Sequence, residues 1–301
     1  MLTHQEEVLI SLAKLNGIGN VTLRQLLHQI ESGASIDAIS QTSPKIHKAL
    51  QSTPNYYDMM EEDITSCINK DVSILSIFDP RFPKGLKADP KGPSFIYVKG
   101  NIDVLTQPSL GIIGTRKPDR VATEYAERVT SHFAQKGISI LSGLALGCDT
   151  IVHQTTVDVG GKAIAVLGHG LHMISPNQSL SLAASIVDTG GVLVSEYPMG
   201  TAPNKYTFVQ RDKTQACIAE AILLIQSSLD GGSLHACRSS IKMGKKVFAL
   251  PPTDSSVEDA NSIIHHGSYG LKDLLKCDDL GGSNVIPIVS KADYHLIESL
   301  F

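Results

Sequence analysis

Nowhere in this 301-residue chain is there an apolar run approaching the roughly 18 residues a membrane-spanning helix needs. The Glu-rich start, Gln5-Glu6-Glu7, also lacks the pattern of a secretory signal. No membrane partner is expected. Five cysteines (Cys67, Cys148, Cys217, Cys237, Cys277) stand far apart without a C-x-x-C pair. Their spacing gives no zinc or dithiol framework and fits reduced thiols in a cytoplasmic protein. The motifs G-x-G-x-x-G, G-x-x-x-x-G-K-[ST], G-x-S-x-G and H-E-x-x-H are all missing, so dinucleotide binding, P-loop hydrolysis, serine-esterase chemistry and zincin chemistry have no motif behind them. No internal repeat or low-complexity tract occurs, and neither a metal nor an organic cofactor is expected. A catalytic constellation is likewise missing, which points to a non-enzymatic protein.

Positive charge is scarce overall, with a formal net charge of −4, yet it is unevenly spread. Residues 1–105 carry 10 Lys/Arg against 12 Asp/Glu, residues 106–250 carry 13 against 10, and residues 251–301 carry 3 against 8. The middle segment is therefore +3. A polyanion responds to local potential rather than to the sum, so this segment permits a phosphate ligand without demanding one.

Apolar residues make up 42% and charged residues 19%, an ordinary globular composition. The first 70 residues show apolar residues at helical spacing (Val8, Leu9, Leu12, Leu15, then Leu23, Leu26, Leu27, Ile30) around a glycine hairpin, Asn16-Gly17-Ile18-Gly19-Asn20. Ser43-Pro44 and Thr53-Pro54 read as helix starts or turns. Val72–Phe78 and Phe95–Val98 read as strands. From residue 109, six short runs apolar on both faces (110–113, 138–141, 163–167, 192–194, 222–225, 247–250) alternate with stretches long enough for crossover helices. That pattern predicts a doubly wound, mostly parallel α/β sheet covered on both sides. A short helix is expected near Leu271–Leu275.

Ligands of such sheets sit outside the carboxyl ends of the strands, so the residues after each run matter most. Gly114-Thr115-Arg116-Lys117-Pro118 offers close backbone approach, a hydroxyl and a guanidinium fork suited to phosphate, although a plain strand-to-helix turn would read alike. Ser142-Gly143-Leu144-Ala145 forms a second candidate cradle, followed by Asp149 and His153 four residues apart. That pair suggests either a metal or acid/base site, or a helix-capping Asp with a hydrogen-bonded His, and the second reading is preferred because no third ligand is in sight. The loop 195–213 interleaves Lys205, Arg211 and Lys213 with Tyr206 and Phe208, cations with aromatic platforms, as single-stranded nucleic acid requires. A buried Phe with solvated lysines is the alternative. Gly231-Gly232-Ser233 opens another candidate phosphate nest. Lys245 precedes the last run, so strand polarity puts it at the opposite end of the sheet.

Together these loops resemble the DNA-processing protein A (DprA/Smf) family over roughly residues 72–275. The resemblance rests on Gly114–Pro118, Ser142-Gly143-Leu144-Ala145-x-Gly147-x-Asp149-x-x-x-His153, Ala165-Val166-Leu167-Gly168-x-Gly170-Leu171, Ser195-Glu196-Tyr197-Pro198-x-Gly200-Thr201, Phe208-x-x-Arg211, Gly232-Ser233-Leu234 and Gly244-Lys245-x-Val247–Pro251. It implies an extended Rossmann-like domain over 71–276 that binds single-stranded DNA, forms a homodimer and helps load RecA recombinase during natural transformation. It also implies a helical domain over 1–70, similar to half of a helix-hairpin-helix or a SAM module, whose glycine N–H groups would contact a DNA phosphate. Residues 277–301 would be a short tail in place of a winged-helix domain. By motif matching, the DNA-binding residues are Arg116, Lys117, Lys205, Phe208, Arg211, Lys213 and Lys245, against the polarity argument for Lys245. The phosphate-cradling residues are Gly114, Thr115, Ser142, Gly143, Gly232 and Ser233. The chain departs from the family pattern at Arg211-Asp212-Lys213, where Arg-Asn-Arg is usual, and at His169 and Ser175-Pro176. The rival reading is a nucleotide-ligand sensor or nucleoside-monophosphate phosphoribohydrolase of the same superfamily. Against it, the glutamate of the P-G-G-x-G-T-x-x-E signature has no counterpart after Gly231-Gly232. A scaffold that binds only protein would take neither ligand.

Overall fold

The structure, a computed structural model, describes residues 2–254, 259–266, 274–275 and 284–301. Nine strands form one sheet in the order β1-β2-β6-β5-β4-β3-β7-β8-β9. The strands are β1 (Ser73–Ser76), β2 (Phe95–Gly100), β3 (Ser109–Ile113), β4 (Ser139–Ser142), β5 (Ala163–Leu167), β6 (Val192–Ser195), β7 (Ala221–Leu224), β8 (Val247–Ala249) and β9 (Val285–Pro287). The pairs β1–β2 and β2–β6 are antiparallel, and the others are parallel. All six apolar runs after residue 109 are strands.

Alternation along each strand assigns the two faces. On one side Leu110, Ile112 and Ile140 pack beneath α7 (Arg120–Gln135), and Ala163 and Ala165 pack beneath α8 (Cys148–Asp158) and α9 (Leu180–Asp188). On the other side Ile113, Leu141, Ile164 and Val166 face α10 (Lys205–Ile218) and α11 (Leu234–Lys242), continuous with the amino-terminal helices. Both faces are covered by helices, which is why the runs are apolar apart from the buried Ser139.

The amino-terminal layer is α1 (His4–Ala13), α2 (Asn20–Glu31), α3 (Ile36–Thr42), α4 (Pro44–Ser52) and α5 (Tyr56–Ile68). Ser43 caps α4 and Pro44 takes its first turn, where a missing N–H costs nothing. Arg24 ties this layer to the sheet domain. Its guanidinium donates to the carbonyls of Leu86, Lys87, Gly92 and Pro93 at 2.7–3.1 Å, completing the carboxyl end of α6 (Lys84–Ala88). Asp63 of α5 pairs with Lys14 and accepts from the Tyr97 hydroxyl on β2.

The segment after residue 276 is more than a tail. β9 pairs with β8, and α13 (Tyr294–Glu298) lays the Tyr294 ring 5.4 Å from Phe133 on α7. Glu298 accepts from His132 at 2.8 Å and pairs with Lys136 at 2.7 Å. The sheet thus extends past the boundary expected at 276. α12 (Ala260–His266) lies between β8 and β9 in sequence. Of the helix expected at 271–275, only Leu274 and Leu275 lie within the described residues; both are helical and buried.

Candidate nucleic-acid interface

The chain order reverses between β3 and β7: β4, β5 and β6 extend to one side of β3, and β7, β8 and β9 to the other. Loops leaving the carboxyl ends of β3 and β7 diverge there and leave a crevice. A cleft of about 770 Å³ occupies it, walled by Gly114-Thr115-Arg116, by one face of α10, and by the 227–236 segment.

Each wall is locked from within. Gly114 packs on Cys148, where a Cβ would clash with the sulfur. Thr115 donates its N–H to the Gln226 carbonyl at 2.8 Å, joining the β3 and β7 loops. Asp119 caps α7 through the Ala122 N–H at 2.8 Å and accepts from the Gln226 side chain at 2.7 Å and from the Thr253 hydroxyl. Asn204 caps α10, its side chain accepting from the Tyr206 and Thr207 N–H groups at 2.9 and 3.1 Å. The loop from Ser227 to Ser233 closes with the Ser233 hydroxyl on Ser227 at 2.8 Å, and Gly231 leaves no room for a Cβ beside that serine.

Arg116 and Lys205 both line the cleft and are exposed, with neither drawn into an ion pair among the described residues. The Arg116 guanidinium lies 5.6 Å from the centroid of the half-buried Phe208 ring. Phe208 fits because Gly168, ending β5, has no side chain to meet it. Tyr206, next to Lys205 in sequence, is 88% exposed and is not part of the cleft lining. The positive amino-terminal end of α10 points at the same opening.

The floor differs from the expectation. Arg211 is only 7% exposed and does not reach out for phosphate. Its Nη1 donates to the Val166 carbonyl at 3.3 Å and lies 3.8 Å from Asp149, and its Nε lies 3.0 Å from Asp212. A Cβ at Gly143 would fall inside this guanidinium, so the second glycine loop is filled by Arg211 rather than open to a ligand. Ser142 is fully buried and donates its hydroxyl to the Ile112 carbonyl at 2.7 Å. Asp149 sits in the first turn of α8 and not at its cap, which is Gly147. Burial raises the Asp149 carboxyl pKa despite Arg211, and burial pushes Asp212 up to about 6. Burial drives His153 down to about 3, so it is a neutral interior imidazole. The Cys148 thiol is pushed up to about 12 and stays protonated. No group of three or more His, Cys, Asp and Glu that could hold a metal occurs among the described residues.

Three expected DNA-binding residues lie elsewhere. Lys117 is exposed beyond Arg116, outside the cleft wall. Lys213 is two residues past Arg211, which on a helix turns it well away from the cleft, and it pairs with Asp89 at 2.6 Å. Lys245 donates to the carbonyls of Ala216, Cys217 and Ala219 at 2.5–2.9 Å, completing the carboxyl end of α10. It therefore sits at the opposite rim of the sheet, as strand polarity required and motif matching did not. The amino-terminal hairpin faces a separate cleft, about 510 Å³, whose charged residues are Lys14, Glu62, Asp63 and Glu196. Burial raises the Glu196 carboxyl to about 7. The one lysine lining this cleft, Lys14, is already paired with Asp63, so the cleft offers a phosphate no unpaired lysine or arginine beside Gly19. Sequence reasoning missed Asn204, Gln215 and His235 in the main cleft. Gln215 carried a usable signal, since 208, 211, 212 and 215 share one helical face.

Asp212 makes the main cleft pH-sensitive. Below about pH 6 its carboxyl becomes neutral, removing a negative charge from the floor. A polyanionic ligand should then bind tighter at pH 5.5 than at pH 7.5. Fluorescence anisotropy with labelled oligo-dT checks this. The gain should shrink in Asp212→Asn, and an undiminished gain would show that Asp212 is not the group responsible.

The family model for DNA recombination-mediator protein A matches residues 73–277. Protein Smf of Escherichia coli (strain K12) is 28% identical over 247 residues, covering 81% of this chain and 66% of that protein. DNA processing protein DprA of Bacillus subtilis (strain 168) is 28% identical over 224 residues, covering 74% and 70%. The chain spans about two thirds of the length of these curated relatives. The X-ray structure of DNA processing protein A from Streptococcus pneumoniae superposes with a TM-score of 0.73 at 23% identity, over 98% of both chains. DNA processing protein A from Helicobacter pylori, solved for its single-stranded DNA binding mode, superposes with a TM-score of 0.58 at 23% identity, over 68% of this chain and 94% of that one. The two solved structures share the fold. Among the described residues no helix is long and apolar enough to cross a membrane. With its family model matched over residues 73–277, more than half of the chain, the chain belongs to the DNA recombination-mediator protein A family.

Proposed function

We propose that this chain binds single-stranded DNA in the cleft between β3 and β7, without covalent chemistry, and so serves recombinase loading. The observation that carries the reading is the mouth of that cleft. Two exposed cations, Arg116 and Lys205, line it together with the Phe208 ring, whose centroid lies 5.6 Å from the Arg116 guanidinium, and Tyr206, next to Lys205 in sequence, is 88% exposed. Exposed cations neutralise phosphates of a flexible strand, and rings accept bases from any sequence because every base has a π face. A duplex hides its bases from such a ring. Arg211 acts through the floor it holds together and not by direct phosphate contact. The single-stranded DNA binding of the Helicobacter pylori protein and the family membership support the same reading.

The RecA partnership, the homodimer and a cytoplasmic role in transformation belong to this proposal by family membership. Gel-shift titrations with single- and double-stranded oligonucleotides at two salt concentrations test the core of it. Single strands should bind at least tenfold tighter than duplex of equal length, and binding should weaken steeply with salt. Equal binding of both forms, or nucleoside monophosphates binding as tightly as an oligonucleotide, would contradict it. Light scattering reading twice the 32.2 kDa chain mass tests the dimer.

A further inference from the structure

One face of α10 turns a sequence of chemically different groups into the cleft: Phe208, Arg211, Asp212 and Gln215. Residues three and four apart stand above one another on a helix, so Asp212 and Gln215 lie one and two turns below the Phe208 ring. Arg211 is committed to Val166, Asp149 and Asp212. Gln215 is different. It is 2% exposed, lines the cleft, and its Nε2 has no hydrogen-bond partner. A buried amide N–H without an acceptor is costly, so it marks a place where a ligand acceptor is wanted. Beside it, Asp212 Oδ1 lies 3.0 Å from Arg211 Nε as an ion pair without a hydrogen bond, so the carboxylate brings acceptor capacity to the cleft it lines.

An aromatic ring followed by a carboxylate and an amide donor is a pattern for reading a base edge. Guanine presents two adjacent donors, N1–H and the N2 amino group, next to the O6 acceptor. A carboxylate can take both donors while an amide N–H meets O6. Thymine presents one imide N–H between two carbonyl oxygens, which a carboxylate repels. Cytosine and adenine present one amino group beside a ring-nitrogen acceptor. We propose that Asp212 and Gln215 form a base-reading subsite beneath Phe208 that favours guanine in the bound strand. The inference rests on the single-stranded DNA reading and adds to it a sequence preference.

The test uses the full chain and four oligonucleotides: an all-thymidine 12-mer and the same strand with one internal guanosine, cytidine or adenosine. A single guanosine cannot form a quadruplex. Anisotropy titrations at pH 8 and fixed salt keep the Asp212 carboxyl, raised to about 6, ionised. The guanosine strand should bind about tenfold tighter than the all-thymidine strand, the discrimination a bidentate contact supplies. In Asp212→Asn the all-thymidine strand should bind tighter than to the natural chain, and the guanosine advantage should fall below twofold. Circular dichroism confirms that the variant is folded. Equal binding of all four strands by the natural chain overturns the subsite while leaving strand binding intact. A guanosine preference that survives Asp212→Asn overturns the assignment to Asp212. If no strand binds, the single-stranded DNA reading fails and takes this inference with it.

Discussion

Replacing Arg211 with alanine is expected to cost about 3–5 kcal/mol of folding stability, more than any single deletion at the cleft mouth. The guanidinium is 7% exposed and fills the space over Gly143, between Asp149 and Asp212. Removing it leaves two carboxylates in a site that already penalises their charge, together with a void. The sign with pH follows from the raised pKa values of both acids. Below their folded values they carry protons and have little need of Arg211, so the loss should be smaller at pH 5 than at pH 7.5. Urea denaturation followed by circular dichroism at both pH values measures this. A loss under 1 kcal/mol at pH 7.5 would show that the network does not hold the floor. Strand affinity would fall as well, through disorder of the α10 wall, even though Arg211 makes no phosphate contact.

The sheet was legible because its strands are apolar on both faces, a pattern that few other arrangements produce. Glycine and proline punctuation marked the loops, and Gly114-Thr115-Arg116, Lys205, Phe208 and Gly232-Ser233 do meet in one cleft. What stayed hidden depends on pairings between residues distant in sequence. Nothing local announces that Arg211 will be drawn down by Asp149, that Lys213 will meet Asp89, or that Ser142 will give its hydroxyl to Ile112. Lys245 shows two kinds of inference in conflict. Strand polarity is a geometric rule and placed it correctly, whereas a motif match says only that a lysine recurs. β9 was missed because its three residues carry too little pattern to separate from a loop.

The second large effect is at the cleft mouth. Arg116→Ala together with Lys205→Ala removes both exposed cations facing the opening, and each change alone should weaken any oligonucleotide about tenfold, irrespective of sequence. Arg116 and Lys205 are exposed and outside the hydrogen-bonded floor, so the double variant should fold as the natural chain does. Its residual binding would come from Phe208, Tyr206 and the helix amino terminus.

The salt dependence of oligo-dT binding, compared between the natural chain and this double variant, tests the account most directly. For a single strand, each phosphate contact contributes about 0.7 to the slope of log affinity against log salt. The double variant should therefore bind about a hundredfold more weakly at low salt, with a slope shallower by about 1.4. An unchanged affinity and an unchanged slope would mean that the strand, if bound at all, does not enter between β3 and β7.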